Sequence, residues 1–273
     1  MKLLITGSSR ADSWEIRGKQ LGNAICAKVI RDASEKEIKA ADIVIVVKKP
    51  SPDLLSRLHL AKVLVWDTVD PWPQKGATLS KDAYIKHVQD LRAMIKPDYV
   101  ICATELMRED IDGDFVLYHH HRIDIPKATI KPDIRTMVYD GNVKFLGIWA
   151  DILDRQCRKR GWEFVCSDEI WKHDICVAFR GRPYDTYATR CWKSNVKLAN
   201  AQGAGVPFVG LPEMGYLETD SGGIMIADNE MILSECLDCM TYEYRKMANN
   251  SLLASAYSVD DCAKDYLRIL RGL

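Results

Sequence analysis

The sequence predicts an α/β protein of two Rossmann-like, doubly wound domains. Three observations lead there. Short, near-continuous apolar runs of Val, Ile, Leu and aromatics recur along the chain, as parallel strands buried on both faces require. Helical patterns alternate with them. A stretch with two prolines, Ile123–Arg135 (IDIPKATIKPDIR), has few periodic apolar positions and splits the series into halves. The chain has 273 residues, enough for two domains at ~100–200 residues each. The division is placed at 1–130 and 131–273.

In the first half the predicted strands are Lys2–Thr6, Asp42–Val47, Lys62–Asp67, Asp98–Cys102 and Phe115–His119. Between them lie helical patterns at Gly18–Ile30, Ser51–His59, Lys81–Ile95 and Thr104–Asp110. The second half repeats the scheme, with strands at Thr136–Tyr139, Glu163–Cys166, Asp174–Phe179, Pro207–Leu211 and Ile224–Ala227. Its helical patterns are Lys144–Arg160, Asn195–Ala204, Glu230–Met247 and Val259–Arg271.

The segment Lys193–Glu218, KSNVKLANAQGAGVPFVGLPEMGYLE, carries the most chemistry. Ser194 or Asn195 can cap a helix start whose free N–H groups favour an anion. Ala199, Ala201, Gly203, Ala204 and Gly205 give that helix a thin face. Val206–Gly210 is a short apolar strand, and Glu213 and Glu218 follow at its carboxyl end, where ligands of open α/β sheets bind. Arg180, Arg182, Arg190 and Lys193 crowd the approach to the helix. Such cations can neutralise a diphosphate.

Other strand ends carry candidates. The loop Gly7-Ser8-Ser9-Arg10 follows the first strand and can bind an anion, yet the G-x-G-x-x-G dinucleotide fingerprint is absent. Trp66-Asp67-Thr68-Val69-Asp70-Pro71-Trp72 sets two carboxylates between tryptophans. They can bind hydroxyls, and one can serve as a general base. The alternative is a helix-capping Asp with Pro71 in the first turn. Gly141, in Tyr139-Asp140-Gly141-Asn142, can let backbone N–H groups approach a diphosphate; a plain strand-to-helix turn is the alternative.

The segment Lys193–Glu218 resembles the donor-site signature of GT-B glycosyltransferases of the broad group 1 kind. Those carry a K-S-N-x-K stretch, a helix of the form L-E-x-x-A-x-G-x-P, a strand and a loop ending Y-x-E. Lys193, Ser194, Asn195, Lys197, Gly205, Pro207, Tyr216 and Glu218 match. Asn200 stands where the family has a ribose-binding Glu. Tyr139–Asn142 with Phe145-Leu146 resembles the family's glycine loop, and Arg122-Ile123-Asp124 its x-I-D.

The resemblance implies two domains facing across a cleft, with the last helix returning to the first domain. It implies transfer of a hexosyl or pentosyl group from a nucleoside diphosphate sugar, UDP-linked among the options, to an acceptor hydroxyl. Gly141, Arg180, Arg182, Lys193, Ser194, Asn195, Asn200 and Glu218 would hold the donor. Asp67 and Asp70 would be catalytic, and Trp14, Arg17 and His119 would lie on the acceptor side. Domain closure would align the substrates. The family leans towards retention at the anomeric carbon, while the Asp67/Asp70 loop leaves a base-assisted inverting route open. The resemblance leaves the acceptor open, with a hydroxymethylated DNA base, as in some phages, or a glycan among the family's options. A nucleotide-sugar epimerase and a non-catalytic nucleotide-binding relative are the alternatives.

Composition narrows the partners. Lys plus Arg and Asp plus Glu stand at 38 each, so no chain-wide attraction to a polyanion is expected. A DNA groove would need Lys48, Lys49, Lys62 and the run Arg155–Arg160 (RQCRKR). No run reaches the ~18 apolar residues of a membrane span. The nine scattered cysteines and the short N-terminal apolar run suggest reduced thiols in a cytoplasm. Cys236-x-x-Cys239 has no second pair or nearby His and reads as part of a helix. The run His119–His121 would point to alternating faces of a strand, which disfavours one shared metal. The family generally needs no metal or cofactor. Oligomeric state is not expressed in the sequence.

Overall fold

The structure is a computed structural model, and it describes residues 1–9, 13–73 and 79–273. Arg10, in the predicted anion-binding loop, lies outside the described residues.

The first half forms a six-stranded parallel sheet in the order β2-β1-β3-β4-β5-β6. Its strands are β1 (Leu3–Gly7), β2 (Lys28–Arg31), β3 (Ile43–Val47), β4 (Leu64–Asp67), β5 (Tyr99–Cys102) and β6 (Phe115–Val116). The second half forms a five-stranded parallel sheet in the order β11-β10-β9-β7-β8. Its strands are β7 (Thr136–Tyr139), β8 (Glu163–Cys166), β9 (Ile175–Ala178), β10 (Phe208–Gly210) and β11 (Ile224–Ile226). Strand order reverses at β1/β3 in one sheet and at β7/β9 in the other. Crevices for ligands open at such switch points, beyond the carboxyl ends of the strands.

The helices begin with a π-helical stretch, Trp14–Gln20, that runs into α1 (Leu21–Ala24). Then come α2 (Glu35–Ala40), α3 (Pro52–Leu55), α4 (Lys81–Ile95) and α5 (Glu105–Ile111). The second half adds α6 (Trp149–Lys159), α7 (Tyr187–Trp192), α8 (Val196–Ala204), α9 (Met214–Leu217), α10 (Glu230–Asp238), α11 (Tyr242–Ala254) and α12 (Val259–Arg271). Ser80 and Thr104 cap α4 and α5 by accepting from the backbone N–H three residues on.

Several expected elements differ. Gly18–Ile30 is not one helix: Cys26 takes a φ of 55°, the helix stops, and β2 begins. As an edge strand with two charged ends, β2 lacks the apolar run that marks its neighbours. Glu230–Met247 divides into α10 and α11 because Thr241 caps a new helix by accepting from Tyr244 N–H. Gly147, at φ 54°, separates a 3-10 turn (Val143–Phe145) from α6. Of Phe115–His119 only two residues are strand. Ser51–His59 resolves into α3 and a 3-10 turn at Leu58–Leu60.

Two helices carry the second half's chain onto the first sheet. On α12, Cys262, Tyr266 and Leu270 recur at every fourth position and pack with Leu3, Ile5 and Trp14. On α7, Ala188 and Trp192 join the cluster of Trp66, Trp72 and Tyr84. Trp192 meets Trp72 edge-on at 5.9 Å. Its indole N–H donates to Asp110 Oδ2 at 2.8 Å, which also accepts from Tyr187 OH at 2.7 Å. No helix is predicted over α7 from the sequence, where Arg190 stands only among the cations that approach the next helix.

Candidate functional site

The second sheet's switch point is lined by the loop after β7, the end of β9 and the first turn of α8. Lys197, on that first turn, is 9% exposed. Its ammonium lies 4.4 Å from the centre of the Tyr139 ring. It makes no hydrogen bond or ion pair to a carboxylate among the described residues. Burial lowers its pKa to about 8, against the pull of nearby Asp140. A Cβ on Gly141 would stand 2.9 Å from that ammonium, and Gly141 has a φ of 154°. The positive φ is what calls for glycine there, and the loop passes close to the cation.

Arg180 follows β9 and donates through Nε to Glu213 Oε1 at 2.8 Å. Burial opposes the guanidinium charge, and Glu213 more than offsets it, so its pKa is raised. Its terminal nitrogens hydrogen-bond nothing among the described residues. Glu213 Oε2 and the hydroxyls of Tyr139 and Tyr216 are buried without hydrogen-bond partners among the described residues. Buried polar atoms are rarely left so, and where they are, a water, ion or ligand is often missing. Arg182 is exposed.

Lys193 reaches across to the first sheet. Its Nζ lies 2.9 Å from Asp70 Oδ2, while Lys48 Nζ, just past β3, lies 3.3 Å from Asp70 Oδ1. Burial pushes the Asp70 carboxyl up, but Lys193 and Lys48 outweigh it and hold it below the usual range. The Lys193-Ser194-Asn195 backbone is pressed by α9. A Cβ on Gly215 would sit 2.4 Å from Lys193 O and 2.9 Å from Asn195 N, so only glycine fits. Ser194 is buried beneath this contact.

Three candidate donor residues are engaged elsewhere. Asn195 stands at the N-cap of α8 but makes no capping bond with its side chain. Its Oδ1 instead accepts from His119 N–H at 2.9 Å. Asn200 donates to Asp140 Oδ2 and accepts from Arg122 N–H, both at 2.9 Å. Glu218 accepts from Glu105 N–H at 2.9 Å, Leu106 N–H at 3.3 Å and Tyr118 OH at 3.2 Å. It thereby caps α5 from the other half of the chain, and burial raises its pKa. All three tie the halves together or hold the crossing segment in place.

The acceptor-side candidates are sealed. Asp67 is fully buried, 3.9 Å from Arg17 Nε and 3.5 Å from Tyr266 OH on α12. Burial pushes its pKa up. Arg17 is fully buried and donates to Leu117 O. Trp14 is packed in the core beneath Gly7 and Gly18. These three therefore do not present themselves to the cleft as the sequence suggested. His119 is 2% exposed, with both ring nitrogens unpartnered among the described residues. Burial, then Arg17, lowers its pKa well below the ordinary value, so the imidazole is neutral.

The three histidines do not converge. His120 and His121 each bond the next residue's carbonyl through Nδ1, at 2.7 Å. Among the described residues no group of three His, Cys, Asp or Glu is placed to hold a metal ion. Cys236 and Cys239 are free thiols. No helix among the described residues is long and apolar enough to cross a membrane.

A cavity of about 580 Å³ opens at the free edge of β6, walled by Tyr118, Asn195, Gln202, Glu218, Tyr257 and Arg268. It lies beside the cationic cluster and shares none of Lys193, Lys197 or Arg180. Charge therefore identifies the strand-end crevice, and volume alone identifies its neighbour. The sequence carried Lys197 only as part of the K-S-N-x-K pattern and Lys48 only as part of a DNA groove. Neither spacing reveals that each meets a strand end of a switch point.

Two parallel sheets of the same strand order, with a last helix crossing back, make this the GT-B fold. Solved structures agree. The chain is similar to AviGT4, a glycosyltransferase involved in avilamycin A biosynthesis, at 9% identity and a TM-score of 0.59, covering 100% of this chain and 98% of the other. A UDP-forming α,α-trehalose-phosphate synthase from Burkholderia xenovorans aligns at 9% identity and a TM-score of 0.57, covering 99% of each chain. The spinosyn forosaminyltransferase SpnP aligns at 10% identity and a TM-score of 0.51, covering 99% of each chain. At such identities the likeness establishes the architecture. No family model matches the sequence, and no curated protein matches it.

Proposed function

We propose that this chain is a glycosyltransferase that moves a sugar from a nucleoside diphosphate sugar to an acceptor hydroxyl. The observation that carries the reading is Lys197. A buried ammonium without a carboxylate partner, beside a glycine loop at a switch point, is a site waiting for an anion. Lys197, Lys193 and the outer nitrogens of Arg180 hold the diphosphate, and the exposed Arg182 stands at the rim. In the transfer, the acceptor oxygen bonds the anomeric carbon while the bond to the phosphate oxygen breaks. The electron pair leaves with the diphosphate, and the cations stabilise the charge that grows there. The acceptor proton passes to a base, for which Asp70 is the candidate at the first sheet's strand ends. Asp67 serves this account as a buried support for Arg17 and α12. Donor and acceptor sides correspond to residues 131–273 and 1–130.

The charge pattern favours a neutral acceptor such as a glycan over DNA. Several of the cations that a DNA groove would use are paired, Lys62 with Asp42 at 3.3 Å, Arg155 with Glu230 at 2.6 Å and Arg160 with Asp238 at 2.5 Å, while the exposed Lys49 and Lys159 form no ion pair among the described residues. A thermal-shift panel of UDP, GDP, TDP, ADP and CMP tests the reading. A binder at ~100 times its Kd raises stability by ~2.7 kcal/mol. A shift with one nucleoside diphosphate supports the proposal and names the base. No shift with any of them overturns it.

A further inference from the structure

Lys48 and Asp70 belong to no donor-binding role assigned so far, yet Asp70 meets Lys193 and shares itself with Lys48. The two ammoniums come from opposite halves of the chain, one just past β3 and one just before α8. They grip the two oxygens of a single carboxylate, at 3.3 and 2.9 Å. One carboxylate carries one negative charge, so the trio keeps a net positive charge. Both lysines are largely shielded, with 22% and 17% of their side chains exposed. Shielding keeps such charges from being screened by salt as surface pairs are.

A carboxylate and a phosphoryl group present similar oxygens to an ammonium. Resting on the glycosyltransferase reading above, we propose that Asp70 is a resident stand-in for a phosphate. The donor's diphosphate displaces the Asp70 carboxylate from Lys193 and Lys48. Lys48 is then a phosphate ligand contributed by the first half, and the bound diphosphate bridges both halves of the chain. The neutral imidazole of His119, buried near Lys193, adds no charge of its own to this exchange.

The competition has a distinctive sign. Removing a carboxylate from a binding crevice ordinarily removes a contact; here it removes a competitor. The test is calorimetric titration of inorganic pyrophosphate, and then of the nucleoside diphosphate that the thermal-shift panel selects, into the full chain. Asp70→Asn keeps the shape and loses the charge, and should tighten pyrophosphate binding by about tenfold. Lys48→Gln should weaken it by a similar factor in either background. Circular dichroism confirms that the variants fold; should Asp70→Asn not fold, Lys48→Gln alone decides.

The outcomes are separable. Tighter binding in Asp70→Asn with weaker binding in Lys48→Gln supports the stand-in. Wild-type binding that Asp70→Asn leaves equal or weakens overturns it, and leaves the trio a plain latch between halves while the donor site stands. Unchanged affinity in Lys48→Gln overturns the role of Lys48. Absence of pyrophosphate and nucleotide binding in every protein overturns the inference together with the glycosyltransferase reading beneath it.

Discussion

The two sheets share a topology but treat charge at their strand ends in opposite ways. Beyond β1 and β4, Arg17 and Asp67 are fully buried and face each other, and Tyr266 from α12 closes over them. Beyond β7 and β9, Arg180 has Glu213, but Lys197 has only an aromatic face and a nearby carboxylate that it does not bond. The first end is sealed, with its opposite charges facing each other at 3.9 Å although Arg17 Nε and Asp67 Oδ1 hydrogen-bond nothing among the described residues. The second keeps in a crevice a cation with no bonded carboxylate among the described residues. The same fold thus supplies one end that holds the molecule together and one that is poised for an anion, and side-chain partners rather than topology decide which is which.

The largest expected effect tests the sealed end. Asp67→Asn leaves the Arg17 guanidinium buried without its countercharge and should cost about 3 kcal/mol of stability by urea unfolding. Affinity for a nucleoside diphosphate should hardly change. A loss of affinity with stability intact would place Asp67 in the binding crevice after all.

Lys197→Met tests the open end and should show the reverse. Nucleoside diphosphate affinity should fall about tenfold, as loss of a charge-assisted contact predicts. Stability should not fall, because the variant removes a buried ammonium that lacks a bonded partner. Equal affinity in wild type and variant would break the contrast between the two ends.

Acidity offers a subtler check on the same lysine. Burial holds the free Lys197 ammonium at about 8, below its ordinary 10.5. Diphosphate affinity should therefore decline as pH rises above about 8. Stability of the free protein should move the other way. Between those values the unfolded chain binds more protons, so this group makes stability rise with pH. The loss of affinity should be absent in Lys197→Arg, whose guanidinium stays charged. A profile flat in both proteins would remove Lys197 from the contact.

The smallest effect concerns the supposed DNA groove. Arg155→Ala breaks an exposed pair with Glu230 and should change stability by under about 1 kcal/mol. It should leave donor turnover on a glycan-type acceptor unchanged. A selective fall in binding to a DNA duplex would revive that acceptor.

Much of the architecture is visible in the sequence because its cause is local. The strands β7 and β8 and the helices α4 and α12 fall at their predicted bounds. Their apolar runs, four-residue stripes and capping residues all act within a few positions. The edge strand β2 escapes notice because it has little to bury. The site is less legible because its partners are far apart in the chain. Asn195 meets His119, Asn200 meets Asp140 and Arg122, Glu218 meets the start of α5, and Lys193 meets Asp70. The first three have motifs that suggest a ligand and side chains that the fold has already used, while Lys193 has a partner that a diphosphate would have to displace. Lys197 is the converse, a motif residue of no assigned role whose surroundings leave it without a bonded partner.

The measurement that bears most directly on this contrast is a crystal structure of the protein grown with a saturating nucleoside diphosphate. The account predicts diphosphate density at the ends of β7 and β9, with a phosphate oxygen about 2.8 Å from Lys197 Nζ. Density instead at the ends of β1 and β4, beside Arg17 and His119, would contradict it.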